Sequence, residues 1–135
     1  MVGILVIGHA EFAQGLTTAV ELIAGKQENY RYLTYESATH LDDFSNEIQT
    51  NIEALDNKIG TIVFTDLKGG TPYKEAINVS LQYNNVQVIT GTNLAMLIEA
   101  TLMRLSVVNI EEFAQSLVET GLGQIERFDK NSLSF

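Results

Sequence analysis

The sequence contains two candidate reactive residues, and each of them follows an apolar segment that resembles a β-strand. His9 comes just after the run at residues 2–7, and Asp66 comes just after the run at residues 61–65. A carboxylate that accepts the Nδ1 proton of an imidazole fixes the tautomer and orientation of the ring, and leaves Nε2 outward as a nucleophile. If the two strands are neighbours, the pair predicts a reactive histidine.

The loop after Asp66 has the features of an anion site. Lys68, Gly69 and Gly70 are followed by Thr71 and Pro72, which we expect to open a helix with Thr71 as its N-cap. Glycines let backbone N–H groups approach an anion closely, and a helix start adds free N–H groups and the positive end of a dipole. Together with the histidine, this loop predicts a side chain that takes a phosphoryl group.

Both residues also have ordinary structural interpretations. A histidine at a strand end is more often structural, an aspartate there commonly caps or turns the chain, and Gly-Gly serves any tight turn. We favour a functional pair because His9 and Asp66 fall at adjacent predicted strand ends, next to residues 69–72. The second histidine, His40, lies at a predicted helix start and is expected to be a surface residue.

The residues that other common kinds of catalytic or ligand site require are absent from the sequence. Two histidines, no cysteine and no metal-ligand spacing argue against a metal site, so we expect no metal or cofactor. The sequence contains no Gly-x-Ser-x-Gly elbow, P-loop or Gly-x-Gly-x-x-Gly pattern. These observations disfavour a Ser-His-Asp hydrolase and the common nucleotide-binding motifs.

Alternating strands and helices must position the candidate residues. Apolar or β-branched runs predict strands at residues 2–7, 30–35, 61–65 and 86–89, and helical spacing predicts helices at about 12–23, 41–55, 71–82, 93–102 and 110–118. This alternation predicts a doubly wound α/β fold, with a mainly parallel sheet and helices on both faces. Among doubly wound strand orders we expect 2-1-3-4, in which the first and third strands are neighbours. Ligands bind such sheets where the strand order reverses, which is where His9 and Asp66 would meet.

Helix boundaries are expected from capping residues. The expected caps are Gly25 after the first helix, Thr39 with Asp42 as a capping-box variant before the second, Thr92 or Asn93 before the fourth, and Asn109 with Glu112 before the fifth. Residues 122–128 are interpreted as a short edge strand or an exchanged strand.

Length, composition and charge limit the protein class. A chain of 135 residues with 45% hydrophobic residues and one proline is typical of one globular domain. Seventeen acidic residues against 8 basic ones give a net charge of −9, which argues against a nucleic-acid partner. The apolar opening is short and lacks a basic flank, so we interpret it as a buried strand and not as a signal peptide or membrane span.

At these residues the sequence resembles the IIA component of the mannose/fructose/sorbose class of the bacterial sugar phosphotransferase system. The matching segments occur in family order over nearly the whole chain: residues 4–9, 15–16, 54–56 with Gly60, 63–67 with 69–72, 88–91, 93–94, 96–97 with Glu99, and 120–121. Each segment is weak alone, but together they are specific. On this resemblance, residues 1–135 are expected to form a single IIA domain.

The resemblance implies a cytoplasmic phosphotransferase with a transient phosphohistidine. His9 would accept a phosphoryl group from the phosphocarrier protein HPr and pass it to a IIB component, with Asp66 orienting the ring. The loop Gly69, Gly70 and Thr71 would help to hold the group. A homodimer is also implied, in which the strand at residues 122–128 pairs into the partner subunit's sheet. The membrane IIC and IID subunits would select the sugar, which this chain does not reveal.

The chain departs from the family pattern at four places. Ala10 replaces the glycine that usually follows the histidine, which restricts the backbone there. Lys68 replaces a bulky apolar or aromatic residue and could add a cation near the phosphoryl group. Residues 36–39 replace a glycine-containing loop, and no role is assigned to them. Thr71 stands where serine is common, and either hydroxyl can donate to a phosphoryl oxygen.

Two readings from other classes remain open at this point. A receiver-like signalling module would be phosphorylated on Asp66, but its magnesium-binding acidic pair after the first strand is absent, since Gly8, His9 and Ala10 stand there. A related phosphocarrier or regulatory domain, such as the one that serves dihydroxyacetone kinase, would keep His9. Only partner tests separate that second case.

Overall fold

The computed structural model describes residues 1–55 and 58–132, so Asp56 of the family-like segment 54–56 lies outside the described residues. Within them, strands and helices alternate along the chain. Their bounds are β1 Gly3–His9, α1 Phe12–Ala24, β2 Tyr30–Tyr35, α2 Leu41–Ala54, β3 Thr61–Thr65, α3 Thr71–Ser80, β4 Val86–Ile89, α4 Leu94–Met103, a 3₁₀ turn at Arg104–Ser106, and α5 Ile110–Leu122.

The strands form a parallel sheet in the order β2-β1-β3-β4 across the described part of the chain. The predicted fold class and strand order are therefore confirmed. The chain winds from β1 to β2 on one side and then returns past β1 to β3 on the other. The strand order thus reverses between β1 and β3, whose carboxyl ends carry His9 and Asp66.

Alternating side chains of β1 bury against helices on opposite faces of the sheet. Ile4 and Val6 pack in a core with residues of α1, α4 and α5, while Leu5 and Ile7 pack with residues of α2 and α3. All four of these strand residues are fully buried. Because helices cover both faces of the sheet, a partner or ligand can reach the sheet at the loops that follow the strand ends.

Several predicted helix boundaries are confirmed by their capping contacts. Gly25 follows α1 with a φ of 83°, in the left-handed region that glycine adopts readily. The side chain of Asn93 accepts a hydrogen bond from Met96 N, and that of Asn109 accepts one from Glu112 N. These asparagines satisfy N–H groups that the first helical turn leaves without partners.

Two other capping predictions are wrong. The capping box expected from Thr39 and Asp42 does not form, because His40 is the N-cap of α2 and makes no side-chain capping bond. Thr39 lies in a turn before the helix, where its N–H donates to Glu36 O. Gly70, and not Thr71, is the N-cap of α3. The reason is that proline is tolerated anywhere in the first helical turn, so Pro72 does not fix which residue starts the helix.

The segment after α5 has no regular structure in this single chain. Leu122 ends α5 instead of beginning a strand, and residues 125–129 form neither helix nor strand. The edge strand expected at residues 122–128 therefore does not form in the described part of the chain. None of the helices in residues 1–55 and 58–132 has the length and apolar character needed to span a bilayer.

Candidate functional site

One carboxylate oxygen joins the ends of β1 and β3. Asp66 Oδ2 lies 2.8 Å from the backbone N of His9 and 2.8 Å from its Nδ1. The other oxygen, Oδ1, accepts a hydrogen bond from Leu67 N at 2.8 Å. An ionised carboxylate only accepts hydrogen bonds, so this geometry assigns the ring proton to Nδ1 and leaves Nε2 with its lone pair.

The surroundings of Asp66 favour its ionised form. Burial alone would raise the pKa of the carboxyl, but hydrogen bonds from His9 N, His9 Nδ1 and Leu67 N outweigh it, so the pKa lies below its usual value. Asp66 is therefore a carboxylate at neutral pH. This charge supports the Nδ1-protonated tautomer of the imidazole.

The two side chains differ in their access to solvent. The side chain of His9 is 45% exposed and that of Asp66 is 12% exposed. Within residues 1–55 and 58–132, Nε2 of His9 has no hydrogen-bond partner. The imidazole thus presents a nucleophilic nitrogen outward, while the carboxylate supports it from beneath.

The glycine loop passes directly beside the imidazole. A Cβ added to Gly70 would lie 3.2 Å from His9 Cε1 and 3.2 Å from Leu67 O, so a side chain there would crowd the ring. Gly69 has a φ of +81°, in the left-handed region that disfavours other residues. The sequence therefore places glycine where the chain must turn and where it must approach the histidine.

Thr71 and Lys68 lie on either side of these glycines. Thr71 is the first residue of α3 and is half-buried, whereas Lys68 is exposed and forms no ion pair with any described residue. The N-terminus of α3 directly follows Gly70, where an added Cβ would lie 3.2 Å from His9 Cε1, so its positive dipole end lies near the ring. Neither side chain makes a hydrogen bond to His9 in the described structure.

The loop after β4 fixes the end of β3. Thr92 Oγ1 donates to Thr65 O at 2.7 Å, and Gly91 N donates to Asp66 O at 3.1 Å. These bonds hold the backbone on either side of the Asp66 side chain. Sequence reasoning gave Thr92 a capping role only, although its place at the end of the strand next to β3 is a signal for this contact.

Sequence reasoning also missed an aromatic neighbour of His9. The ring of Tyr35, at the end of β2, meets the imidazole edge to face, with centroids 5.6 Å apart and planes at 88°. Tyr35 O accepts a hydrogen bond from Ala10 N at 3.0 Å, and Ala10 has a φ of 50°. The order 2-1-3 places the end of β2 beside His9, so strand order is the signal that could have identified this residue.

The described residues contain no group of three or more His, Cys, Asp or Glu side chains able to hold a metal ion. Fold and site define a doubly wound α/β domain whose solvent-facing histidine is oriented by an aspartate at the switch point. Residues 3–118 match the family described as "PTS system fructose IIA component". The chain belongs to this family, the IIA phosphotransfer components of the mannose/fructose/sorbose class of the sugar phosphotransferase system.

Individual relatives agree with this assignment. The chain is 29% identical over 131 residues to the sorbose-specific EIIA component of Lacticaseibacillus casei, which covers 97% of this chain and 90% of that protein. It is 27% identical over 118 residues to the mannose-specific EIIAB component of Escherichia coli strain K12, covering 87% of this chain but only 36% of that longer protein. The mannose/sorbose-specific IIA subunit from Enterococcus faecalis superposes with a TM-score of 0.87 at 26% identity, covering 98% of each chain.

Proposed function

We propose that this chain relays a phosphoryl group between two other proteins through His9. Nε2 attacks the phosphorus of the phosphohistidine carried by HPr, a bond forms from Nε2 to phosphorus, and the donor imidazole leaves with the electron pair of the broken bond. The group then passes to a IIB component by the same displacement. The contact of Asp66 Oδ2 with His9 Nδ1 carries this proposal, because it directs Nε2 outward as the nucleophile.

The loop after β3 supplies a moderate hold on the phosphoryl group. In-line phosphoryl transfer passes through a loose transition state whose charge is spread over the equatorial oxygens. Backbone N–H groups of Gly69 and Thr71, the Thr71 hydroxyl and the exposed Lys68 ammonium are the groups that would face those oxygens. The N–H of Gly70 donates to Leu67 O at 3.0 Å, so Gly70 would contribute by letting the loop pass close to His9. A tighter hold would trap the group instead of passing it on, since donor and acceptor bonds are of the same type.

Among the groups proposed to face the phosphoryl oxygens, the exposed Lys68 side chain can be tested directly by substitution. Lys68→Gln removes the charge, and Lys130→Gln removes the charge of another exposed lysine, on the segment after α5. If Lys68 contacts the phosphoryl group, only Lys68→Gln slows transfer to His9, and the difference shrinks as salt is added. Equal rates in the two variants would remove Lys68 from the site.

We further propose a homodimer in which residues 122–128 pair with the partner subunit's sheet. Two observations support this proposal. In the described part of the chain β4 is an edge strand that pairs only with β3, which leaves its outer hydrogen-bonding groups available. Ile125 and Phe128 are 75% and 56% exposed, in a segment without regular structure. Light scattering should give twice the monomer mass, and a chain ending at Gly123 should be monomeric.

The proposed role places the protein in the cytoplasm with HPr, where it would serve a membrane IIC/IID transporter. Two of its relatives are named for mannose and sorbose, but IIA in this scheme contacts other proteins and not the sugar. The transported sugar is therefore a property of the membrane subunits. Growth on candidate sugars in a strain that lacks this chain would identify it.

Mass spectrometry after incubation with phosphoenolpyruvate, enzyme I and HPr tests the proposed function. We expect an acid-labile phosphoryl group on the peptide that bears His9, no label in His9→Ala, and full label in the matched control His40→Ala. A label on Asp66 would instead favour a receiver-like module. A chain labelled only by the donor of a dihydroxyacetone kinase system would belong to that phosphocarrier branch.

A further inference from the structure

Tyr35 holds a fixed place beside the imidazole. In the sheet register Tyr35 is the direct partner of His9, at the ends of β2 and β1. The two rings meet edge to face, with centroids 5.6 Å apart and planes at 88°. The hydrogen bond from Ala10 N to Tyr35 O, 3.0 Å long, ties the backbones together just beyond this pair.

The tyrosine ring is itself held against the protein core. It packs against the ring of Phe44 on α2, with centroids 4.9 Å apart and planes at 57°. Phe44 is fully buried between α2 and the sheet. The three rings therefore form a continuous series from a rigid core residue to the exposed imidazole, and the tyrosine ring has little freedom to turn away from the histidine.

The contact with Asp66 leaves part of the ring geometry undetermined. A hydrogen bond at Nδ1 fixes the position of one corner of the imidazole, but the tilt of the ring plane about that corner is less restricted. The tilt decides where the Nε2 lone pair points, and in-line transfer needs that lone pair aligned with the phosphorus. The face or edge of a neighbouring ring limits such a tilt because edge-to-face pairs have a preferred angle.

We infer that Tyr35 is a positioning residue for phosphoryl transfer, which sets the tilt of the His9 ring while Asp66 sets its tautomer. The inference rests on the proposed function, since it concerns the same histidine. Tyr35 acts through the imidazole and not on the phosphoryl group, so its aromatic ring is required and its hydroxyl is not. A tyrosine that instead contacted the partner protein directly would change KM for phospho-HPr.

Steady-state relay of the phosphoryl group from phospho-HPr through His9 to a IIB component, with kcat and KM for phospho-HPr measured separately, tests this inference. Tyr35→Phe should retain wild-type kinetics. Tyr35→Leu should lower kcat about two- to tenfold, the range that corresponds to an aromatic pair, with KM for phospho-HPr unchanged. Tyr32→Leu is the matched control, because it is the same substitution on β2 at a residue that pairs with Val6 and not with His9. Its kcat should equal that of the wild type.

A second readout separates positioning from general destabilisation. NMR relaxation of the imidazole ring in the unphosphorylated protein should show greater ring motion in Tyr35→Leu than in Tyr35→Phe or Tyr32→Leu. If Tyr35→Leu folds poorly, Tyr35→Met fills the space beside Phe44 without offering a flat ring and is measured in its place.

Failure of the positioning role of Tyr35 can be distinguished from failure of the proposed function. An unchanged kcat in the Leu and Met variants, or a higher KM with kcat unchanged, overturns the positioning role while the wild-type protein is still phosphorylated. Loss of activity in Tyr35→Phe also overturns it, because the hydroxyl would then be the active group. A wild-type protein that takes no phosphoryl group on His9 instead refutes the proposed function itself.

Discussion

A single oxygen atom of Asp66, Oδ2, lies 2.8 Å from both the backbone N and the Nδ1 atom of His9. The same atom therefore holds the main chain at the end of β1 and the ring that projects from it. Because β1 and β3 are neighbours at the point where the strand order reverses, this contact follows from the topology of the sheet. The fold and the proposed chemistry depend on the same hydrogen bonds.

Replacing Asp66 by Asn should slow the phosphorylation of His9 about 10- to 100-fold, the effect expected when a charge-assisted hydrogen bond is lost. The isosteric amide can still accept from His9 N, so we expect the fold to be retained. Rapid-quench measurements of phosphoryl incorporation give the rate, and circular dichroism checks the fold. A wild-type rate in a folded Asp66→Asn protein would remove the orienting role of the carboxylate.

Asp66 should also make stability depend on pH. Its pKa in the folded state lies below the usual value, because its hydrogen bonds from His9 and Leu67 outweigh the effect of burial. Its stabilising contribution is therefore complete above the unfolded pKa of about 3.9 and is lost as the pH falls through the lower folded pKa. Urea titrations should show wild type more stable than Asp66→Asn at pH 7, with a gap that narrows below about pH 4. A gap that widens in acid would contradict this sign.

Gly69→Ala should mainly lower stability, whereas Gly70→Ala should mainly lower the rate of phosphoryl transfer. Gly69 has a left-handed φ of +81° with open space around it, so alanine should lower the free energy of unfolding by about 1–2 kcal/mol. At Gly70 the added Cβ would lie 3.2 Å from His9 Cε1, so alanine should displace the ring and lower the transfer rate more than the stability. Chemical denaturation and transfer kinetics on both variants test this, and the reverse pattern would be inconsistent with the observed loop.

Ala10→Gly should raise the free energy of unfolding by up to about 1 kcal/mol. Ala10 has a φ of 50°, a strained conformation for a residue with a Cβ. Glycine relieves that strain, and its greater freedom in the unfolded chain offsets part of the gain. Denaturant titration measures the change. A clear loss of stability would mean that the methyl group of Ala10 makes a favourable contact that outweighs its backbone strain.

The sequence predicted those parts of the fold that depend on local pattern. Apolar or β-branched runs identified β1 to β4, and their alternation with helices indicated the doubly wound class. The order 2-1-3-4 was an expectation among doubly wound orders, and the sheet confirms it. In that order His9 and Asp66 lie at the ends of neighbouring strands, so their proximity was predictable from the sequence. Asn109, and Asn93 as one of two candidates, were recognised as caps because a capping side chain bonds within its own helical turn.

The features that were missed depend on contacts between distant segments. Tyr35 looked like one more aromatic strand residue, and only the register of β2 with β1 places it on the His9 ring. Arg104 is 3% exposed and donates to the carbonyl groups of Val2 and Asn29, a contact between segments far apart in the sequence. The N-cap of α3 was misplaced by one residue, because Pro72 is compatible with more than one position in the first helical turn and so does not fix the helix start.

The position of the phosphoryl group on the ring of His9 tests the central claim most directly. Asp66 occupies Nδ1, so only Nε2 is available to attack. NMR of the ¹⁵N-labelled phosphoprotein should show phosphorus coupled to Nε2 of His9, with Nδ1 still protonated and hydrogen-bonded. A phosphoryl group on Nδ1 would require the contact with Asp66 to break before the reaction, and would contradict the mechanism.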